Sequence, residues 1–330
     1  MTFGANPRRA ILVGLLLLLT GCAGNTELSR YATAQSLQPT SVVGTEVVSF
    51  QGIEVRSGDL IASELDSAST LLMMLMAEDY APYVHAGIIV IDDGKPWVYE
   101  AFARLRPTLG PPTGAMSGAI RRQPLDRYLR RPAVTTIVRP PDAAAEAIAE
   151  FARQSRKARL EFDPYFDLTS ADAVYCTEFV AAALNAAGQS LPPPAARNRN
   201  RSLNTALSWL GVDAEAFWLA GDLLAPFEPV ALLSPLLSEA QIHARFALKA
   251  ELHRRFTADQ RLGNLFRWTV TGPRVRRHLV ELYDDVMAAS VEQFSLVDLQ
   301  RRANAALGEI SESATRLAER QRHAPTPSPR

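Results

Sequence analysis

Ser170-Ala-Asp-Ala-Val-Tyr-Cys-Thr-Glu-Phe-Val-Ala-Ala-Ala-Leu-Asn-Ala-Ala-Gly188 is the stretch from which the rest of this chain is best read. From Val174 onward it is alanine-rich and apolar at helical spacing, and Gly188 stands at the usual stop position. Ser170 or Asp172 can cap the start by accepting backbone N–H bonds that would otherwise be orphaned. That places Cys176 in the first turn, where unpaired N–H groups and the helix dipole favour an anion. A thiol so placed tends toward thiolate, the form that attacks carbonyls. A plainer reading competes with this one. Cys176, Phe179, Val180, Ala183 and Ala187 share one helix face, and a free cysteine is commonly just buried.

Composition narrows the classes. The 330 residues suffice for one large domain or two modest ones. Apolar residues make up 47% and charged residues 21%, so a packed core is feasible and wholesale disorder is excluded. Formal net charge is zero, which gives no electrostatic footprint for nucleic-acid binding. The pairs Arg121-Arg122 and Arg130-Arg131 are expected to be solvated surface.

The N-terminus points to a compartment. Arg8-Arg9 is a basic start, and residues 10–19 form an apolar run too short to span a bilayer comfortably. It ends in Leu19-Thr20-Gly21-Cys22, which resembles the bacterial lipobox. The resemblance implies a signal peptide over residues 1–21, cleavage before Cys22 and lipid on its thiol; an uncleaved anchor is the alternative. The expected location is the bacterial cell envelope; in a Gram-negative cell Ala23 does not look like an inner-membrane retention signal, which points to the periplasmic face of the outer membrane. The chain holds two cysteines, and lipidation would consume Cys22. Cys176 is then a lone thiol in a disulfide-permissive compartment, either buried inertly or used.

The second informative stretch is Tyr83-Val-His-Ala-Gly-Ile-Ile-Val-Ile-Asp-Asp-Gly-Lys-Pro-Trp-Val-Tyr-Glu-Ala101. Asp93-Gly94 is a strong two-residue hairpin turn between β-rich runs. With Asp92 and Lys95 flanking that turn, Gly87 lies opposite Glu100, and His85, Gly87 and Glu100 point to one side. His85 and Glu100 are then diagonal neighbours, roughly 7 Å apart at Cβ, with no Gly87 side chain between them. A carboxylate beside an imidazole fixes its tautomer and supports its charged form. The alternative is a solvent-exposed pair on an edge hairpin.

Elsewhere the patterns are structural. Residues 22–50 read as a tether with a short strand at 47–50, and residues 53–62 as a turn at Ser57-Gly58 leading into a strand. Residues 70–77 read as a buried helix whose methionines pack the core. Residues 111–116 form a Gly/Pro-rich loop, a plausible lip for a site. A short helix at 124–129, a strand at 134–138 and a helix from Asp142, its cap, to about Lys157 follow. Residues 162–167 read as a turn, with Asp163 and Asp167 forming it and the aromatics packing under the Cys176 helix. An amphipathic helix within 202–220 and a return to the main fold at 222–234 complete residues 51–238. From 239 to about 320 the chain reads as helical throughout, broken at Gly272-Pro273, with His243, His253 and His278 at the surface. Residues 323–330 read as a disordered tail. No cofactor is expected: neither metal-ligand spacing nor a phosphate-cradling Gly loop is present.

Gly58-Asp-Leu-Ile61, His85-Ala-Gly-Ile-Ile-Val90, Val98-Tyr-Glu-Ala101 and Tyr175-Cys-Thr-Glu-Phe-Val180, in that order, resemble the motif series of the permuted papain-like amidases. This is the YiiX/YaeF-like cysteine hydrolase group of the NlpC clan, in which the histidine precedes the cysteine. The resemblance covers roughly residues 50–190. It implies an α+β, circularly permuted papain-like fold, with an antiparallel sheet packed on helices. It also implies Cys176 as nucleophile, His85 as general base and Glu100 as the residue that orients the imidazole. The expected all-helical extension over 239–322 departs from that pattern and leaves open a protein partner.

The expectation is therefore a lipid-anchored thiol hydrolase that cleaves an amide through an acyl-thioester. Its substrate would be a peptidoglycan peptide or an N-acyl or ester lipid; acyl transfer to lipid is a variant. A non-catalytic envelope lipoprotein that binds a partner is the competing class.

Overall fold

A computed structural model describes residues 39–42, 45–105, 116–170, 173–209, 212–259, 265–269 and 272–290. The proposed lip over residues 111–115, Cys22 and its signal segment, Asp172 and the C-terminal tail lie outside the described residues.

Strands β1 (Pro39–Val42), β2 (Thr45–Phe50) and β3 (Ile53–Arg56) form an antiparallel meander. The end of the expected tether is thus folded, because Val48 and Phe50 have apolar partners to bury against. At the next turn Gly58 has φ +88°, and a Cβ there would collide with the Ala145 carbonyl oxygen. Only glycine fits that approach. The chain continues through β4 (Leu60–Glu64), α1 (Ala68–Met74), β5 (His85–Asp92), β6 (Lys95–Leu105), β7 (Met116–Pro124), α2 (Leu125–Leu129) and β8 (Val134–Arg139). Ser67 caps α1, its hydroxyl accepting from the Thr70 N–H at 3.1 Å.

Next come α3 (Asp142–Ala158), β9 (Glu161–Phe162), β10 (Ala173–Val174) and α4 (Cys176–Ala186). Asp142 is the first helical residue rather than the cap; Pro141 holds that position without a side-chain bond. After α4 the chain forms β11 (Ala195–Ala196), α5 (Arg201–Trp209), β12 (Ala216–Phe217), α6 (Ala220–Leu224) and β13 (Glu228–Leu233).

The main sheet has eight strands in the order β10-β9-β7-β6-β5-β4-β8-β13. All its pairings are antiparallel except β9 with β10. The β5–β6 register runs from Ile88↔Tyr99 to Asp92↔Lys95, as the Asp93-Gly94 turn dictates. Asp93 and Gly94 have φ of 53° and 70°, the two positive values such a turn requires. This hairpin lies inside the sheet, not at its edge. Period-2 alternation sends Ala86, Ile88 and Val90 toward α3 and α4, and Ile89 and Ile91 toward α2 and the meander. Each fully buried Ile or Leu contributes roughly 1.5–3 kcal/mol, so this double-sided burial fixes β5 at the centre of the molecule.

The segment after 238 departs from the expected all-helical extension. Helix α7 (Glu239–Asp259) leads to an antiparallel hairpin, β14 (Phe266–Thr269) and β15 (Gly272–Val275), and then α8 (Arg277–Ser290). The Gly272-Pro273 signal that reads as a helix break instead opens a strand. Helix α7 buries Ala244, Leu248, Leu252 and Phe256 in one cluster with α1, α5 and β12. His253 is correspondingly interior, with its Nε2 3.0 Å from the Ala77 carbonyl oxygen, whereas His243 and His278 are exposed as expected.

A buried ion cluster ties α7 to β4. Arg245 and Glu64 are each 1% exposed and form a bidentate pair at 2.7 and 2.8 Å. Lys249 also reaches Glu64, and Asp66 accepts from Arg245 at 3.2 Å. Burial drives the Lys249 ammonium down to about 7.

Candidate active site

Helix α4 begins where β5 begins. Its N-cap is Tyr175, not Ser170, and Glu178 closes the first turn by accepting the Tyr175 N–H at 3.3 Å. The cap falls later than expected because Ala173 and Val174 pair as a strand with β9. Gly188 takes φ +71° just past the helix end, as its position predicts. Cys176 is the first helical residue and is 4% exposed. Its sulfur lies 3.6 Å from the carbonyl oxygen of Val84, the residue before His85.

Three of the sequence-named side chains meet here. The His85 Nε2 lies 2.5 Å from Glu100 Oε2. Burial alone would lower the His85 pKa. The charge and hydrogen bond of the Cys176 sulfur and the Glu100 carboxylate outweigh it and push the imidazole up to about 10. With Nε2 committed to the carboxylate, Nδ1 is the nitrogen left to serve the sulfur.

Glu100 is 2% exposed and densely partnered. Burial would raise its pKa, but the contacts with His85 and Arg121 hold it below the usual carboxylate value. Oε1 accepts from Arg121 Nε at 2.9 Å and from Gln123 Nε2. Arg121, expected at the solvated surface, instead clamps Glu100 and lies over the Phe102 ring. Tyr128 stacks on His85 with ring centroids 6.3 Å apart, its hydroxyl 2.8 Å from Ser63 Oγ.

Arg121, Gln123, Tyr128 and Ser63 were not read from the sequence as site residues. Arg121 and Gln123 share a strand face by alternation, but the β6–β7 register that sets them against Glu100 depends on a connection with no turn signature of fixed length.

A cleft of about 470 Å³, its open mouth included, reaches Cys176. One wall is pinned to the nucleophile's own turn. The Tyr175 hydroxyl accepts from the Trp218 N–H, and the Thr177 hydroxyl donates to the Trp218 carbonyl at 2.7 Å. The lining also includes Met73, Met76 and Tyr83. Tyr83 packs edge-on against Phe246 of α7, with centroids 5.5 Å apart, so the C-terminal segment backs the cleft. Among the described residues no group of three or more His, Cys, Asp and Glu side chains could hold a metal ion, and no helix is long and apolar enough to cross a membrane.

Fold and site together define a mixed α+β protein in which a histidine bonded to a buried glutamate also feels the charge of a cysteine sulfur. No family model matches the chain, and no curated protein matches it. Among solved structures it is similar to the crystal structure of the metalloprotein yiiX from Escherichia coli O157:H7, DUF1105. That similarity has a TM-score of 0.43 and 18% identity, over 54% of this chain and 98% of that one. A score at that level carries neither mechanism nor substrate across.

Proposed function

We propose that this chain is a thiol hydrolase of the bacterial cell envelope, in which Cys176, His85 and Glu100 act together. The observation that carries the reading is the convergence of those three groups, with His85 pushed up to about 10 by the two acidic neighbours. His85 takes the thiol proton, and the sulfur attacks the carbonyl carbon of an amide or ester. N–H groups of the first turn of α4 are placed to receive the developing oxyanion. The imidazolium then protonates the leaving amine or alcohol, and water hydrolyses the acyl-thioester with His85 as base. Glu100 holds the ring in the tautomer this requires, and Arg121 and Gln123 hold Glu100. The fold is read as the permuted papain-like arrangement, since the histidine strand precedes the cysteine helix.

The anchor is part of the same proposal: lipid on Cys22, attachment to the outer membrane, and a periplasmic active site. Incorporation of radiolabelled palmitate by the wild type but not by Cys22→Ser tests it directly. A protein partner for the region beyond residue 239 remains compatible, although its inner face is already occupied by the main fold.

The competing scaffold reading draws on the burial of Cys176. Iodoacetamide labelling near neutral pH separates the two. The enzyme reading expects rapid alkylation of Cys176, slowed at least about tenfold in His85→Ala. Labelling that is slow in both proteins overturns it.

A further inference from the structure

The cleft beside Cys176 is built for hydrocarbon. Its walls include Met73, Met76, Tyr83, Phe166, Phe217 and Trp218, and among the described residues no charged side chain lines it. A muropeptide carries carboxylates and amines, which would enter this space with no counter-charge.

The backbone is equally unreceptive to a peptide. The Trp218 N–H and carbonyl are taken by Tyr175 and Thr177, the Met76 carbonyl by the Asn198 N–H, and the Ala77 carbonyl by His253. The Val84 carbonyl faces the thiol itself. Extended peptides are held by main-chain bonds to their site, and these groups are already bonded. An alkyl chain makes no such demand. Unbranched methionines adapt to chains of differing shape.

We infer that the substrate is an acylated lipid, and that its fatty-acyl chain lies in this cleft with the carbonyl carbon at Cys176 Sγ. This rests on the thiol-hydrolase reading and specifies its substrate class. Sγ bonds to the acyl carbon, the carbon–nitrogen or carbon–oxygen bond breaks, and the leaving group departs with the proton from His85. Water then adds to the thioester, passing one proton to His85 and releasing the fatty acid as the thiolate leaves.

The test uses the full chain with 4-nitrophenyl acetate, octanoate and dodecanoate, following nitrophenol release and the mass of the Cys176 peptide. The inference expects a Cys176 acyl adduct, with kcat/KM rising by about tenfold or more from acetate to the longer esters, as burial of successive methylenes requires. It also expects Met73→Glu, a charge placed on the half-buried rim of the cleft, to depress kcat/KM for dodecanoate by a larger factor than for acetate. Adduct formation at Cys176 with equal or falling efficiency along the series overturns the acyl cleft but leaves the nucleophile standing. Absence of any Cys176 adduct overturns the underlying hydrolase reading as well.

Discussion

The Tyr175 hydroxyl accepts the backbone N–H of Trp218 at 2.9 Å, so the residue that caps the Cys176 helix also fixes the cleft wall facing it. Tyr175→Phe takes the partner from that part-buried N–H, at a cost of about 1 kcal/mol. We expect a lower Tm, and weaker turnover of long-chain esters with the rate of Cys176 alkylation little changed. Equal losses in alkylation and turnover would mean that Tyr175 acts on the thiol instead.

The charged pair at the site sets a pH window for stability. His85 has its pKa raised above the ordinary 6.5, so its contribution is full below 6.5 and is lost as pH climbs toward about 10. Glu100 is shifted down, so its contribution is full above 4.5 and fades as the carboxylate protonates. The stability advantage of the wild type over a His85→Gln/Glu100→Gln double variant should therefore peak between 4.5 and 6.5. Urea midpoints measured across pH check this; an advantage that grows on the alkaline side contradicts it.

Glu178 shows the opposite behaviour. Burial, aided by the nearby Asp163 and Asp167, pushes its carboxyl up to about 7 despite the Tyr175 N–H bond. The folded state thus holds a proton that the unfolded chain has released, and stability is lost as pH rises from 4.5 to about 7. Glu178→Gln keeps the capping oxygen and removes the charge. Its gain in Tm over the wild type should appear on the alkaline side of that range and vanish on the acid side.

Glu64 and Arg245 should behave as a unit. Glu64→Ala strands the Arg245 guanidinium in the interior, at a cost of about 3–5 kcal/mol. Glu64→Leu with Arg245→Met removes both charges and should recover most of that loss. Additive losses in the double variant, read from denaturant midpoints, would show that the pair is not coupled.

The strands and helices around the site were the legible part of the sequence. Asp93-Gly94 sets the β5–β6 register by local turn chemistry alone, and the placement of His85 and Glu100 comes from it by side-chain alternation. Gly188 ends α4 for an equally local reason. The concealed features depend on distant pairing. Arg121 looks like half of a solvated basic pair until β7 is laid beside β6. His253 looks like a surface residue among arginines until α7 is packed over Ala77. Asp142 has the chemistry of a cap, but the extended backbone at Pro141 shifts the helix start by one position. The C-terminal hairpin was hidden because Gly272-Pro273 interrupts a helix and is equally at home at the start of a strand.

The join of helix α7 to strand β4 has a practical bearing on dissecting this chain. Ending the polypeptide at 238, the expected close of the main fold, would leave the Glu64 carboxylate stranded one residue from the Ser63 that hydrogen-bonds Tyr128. It would also strip the backing from Tyr83. The smallest fragment worth expressing extends past Asp259, and inactivity of a shorter one would speak to lost support rather than to the chemistry of Cys176.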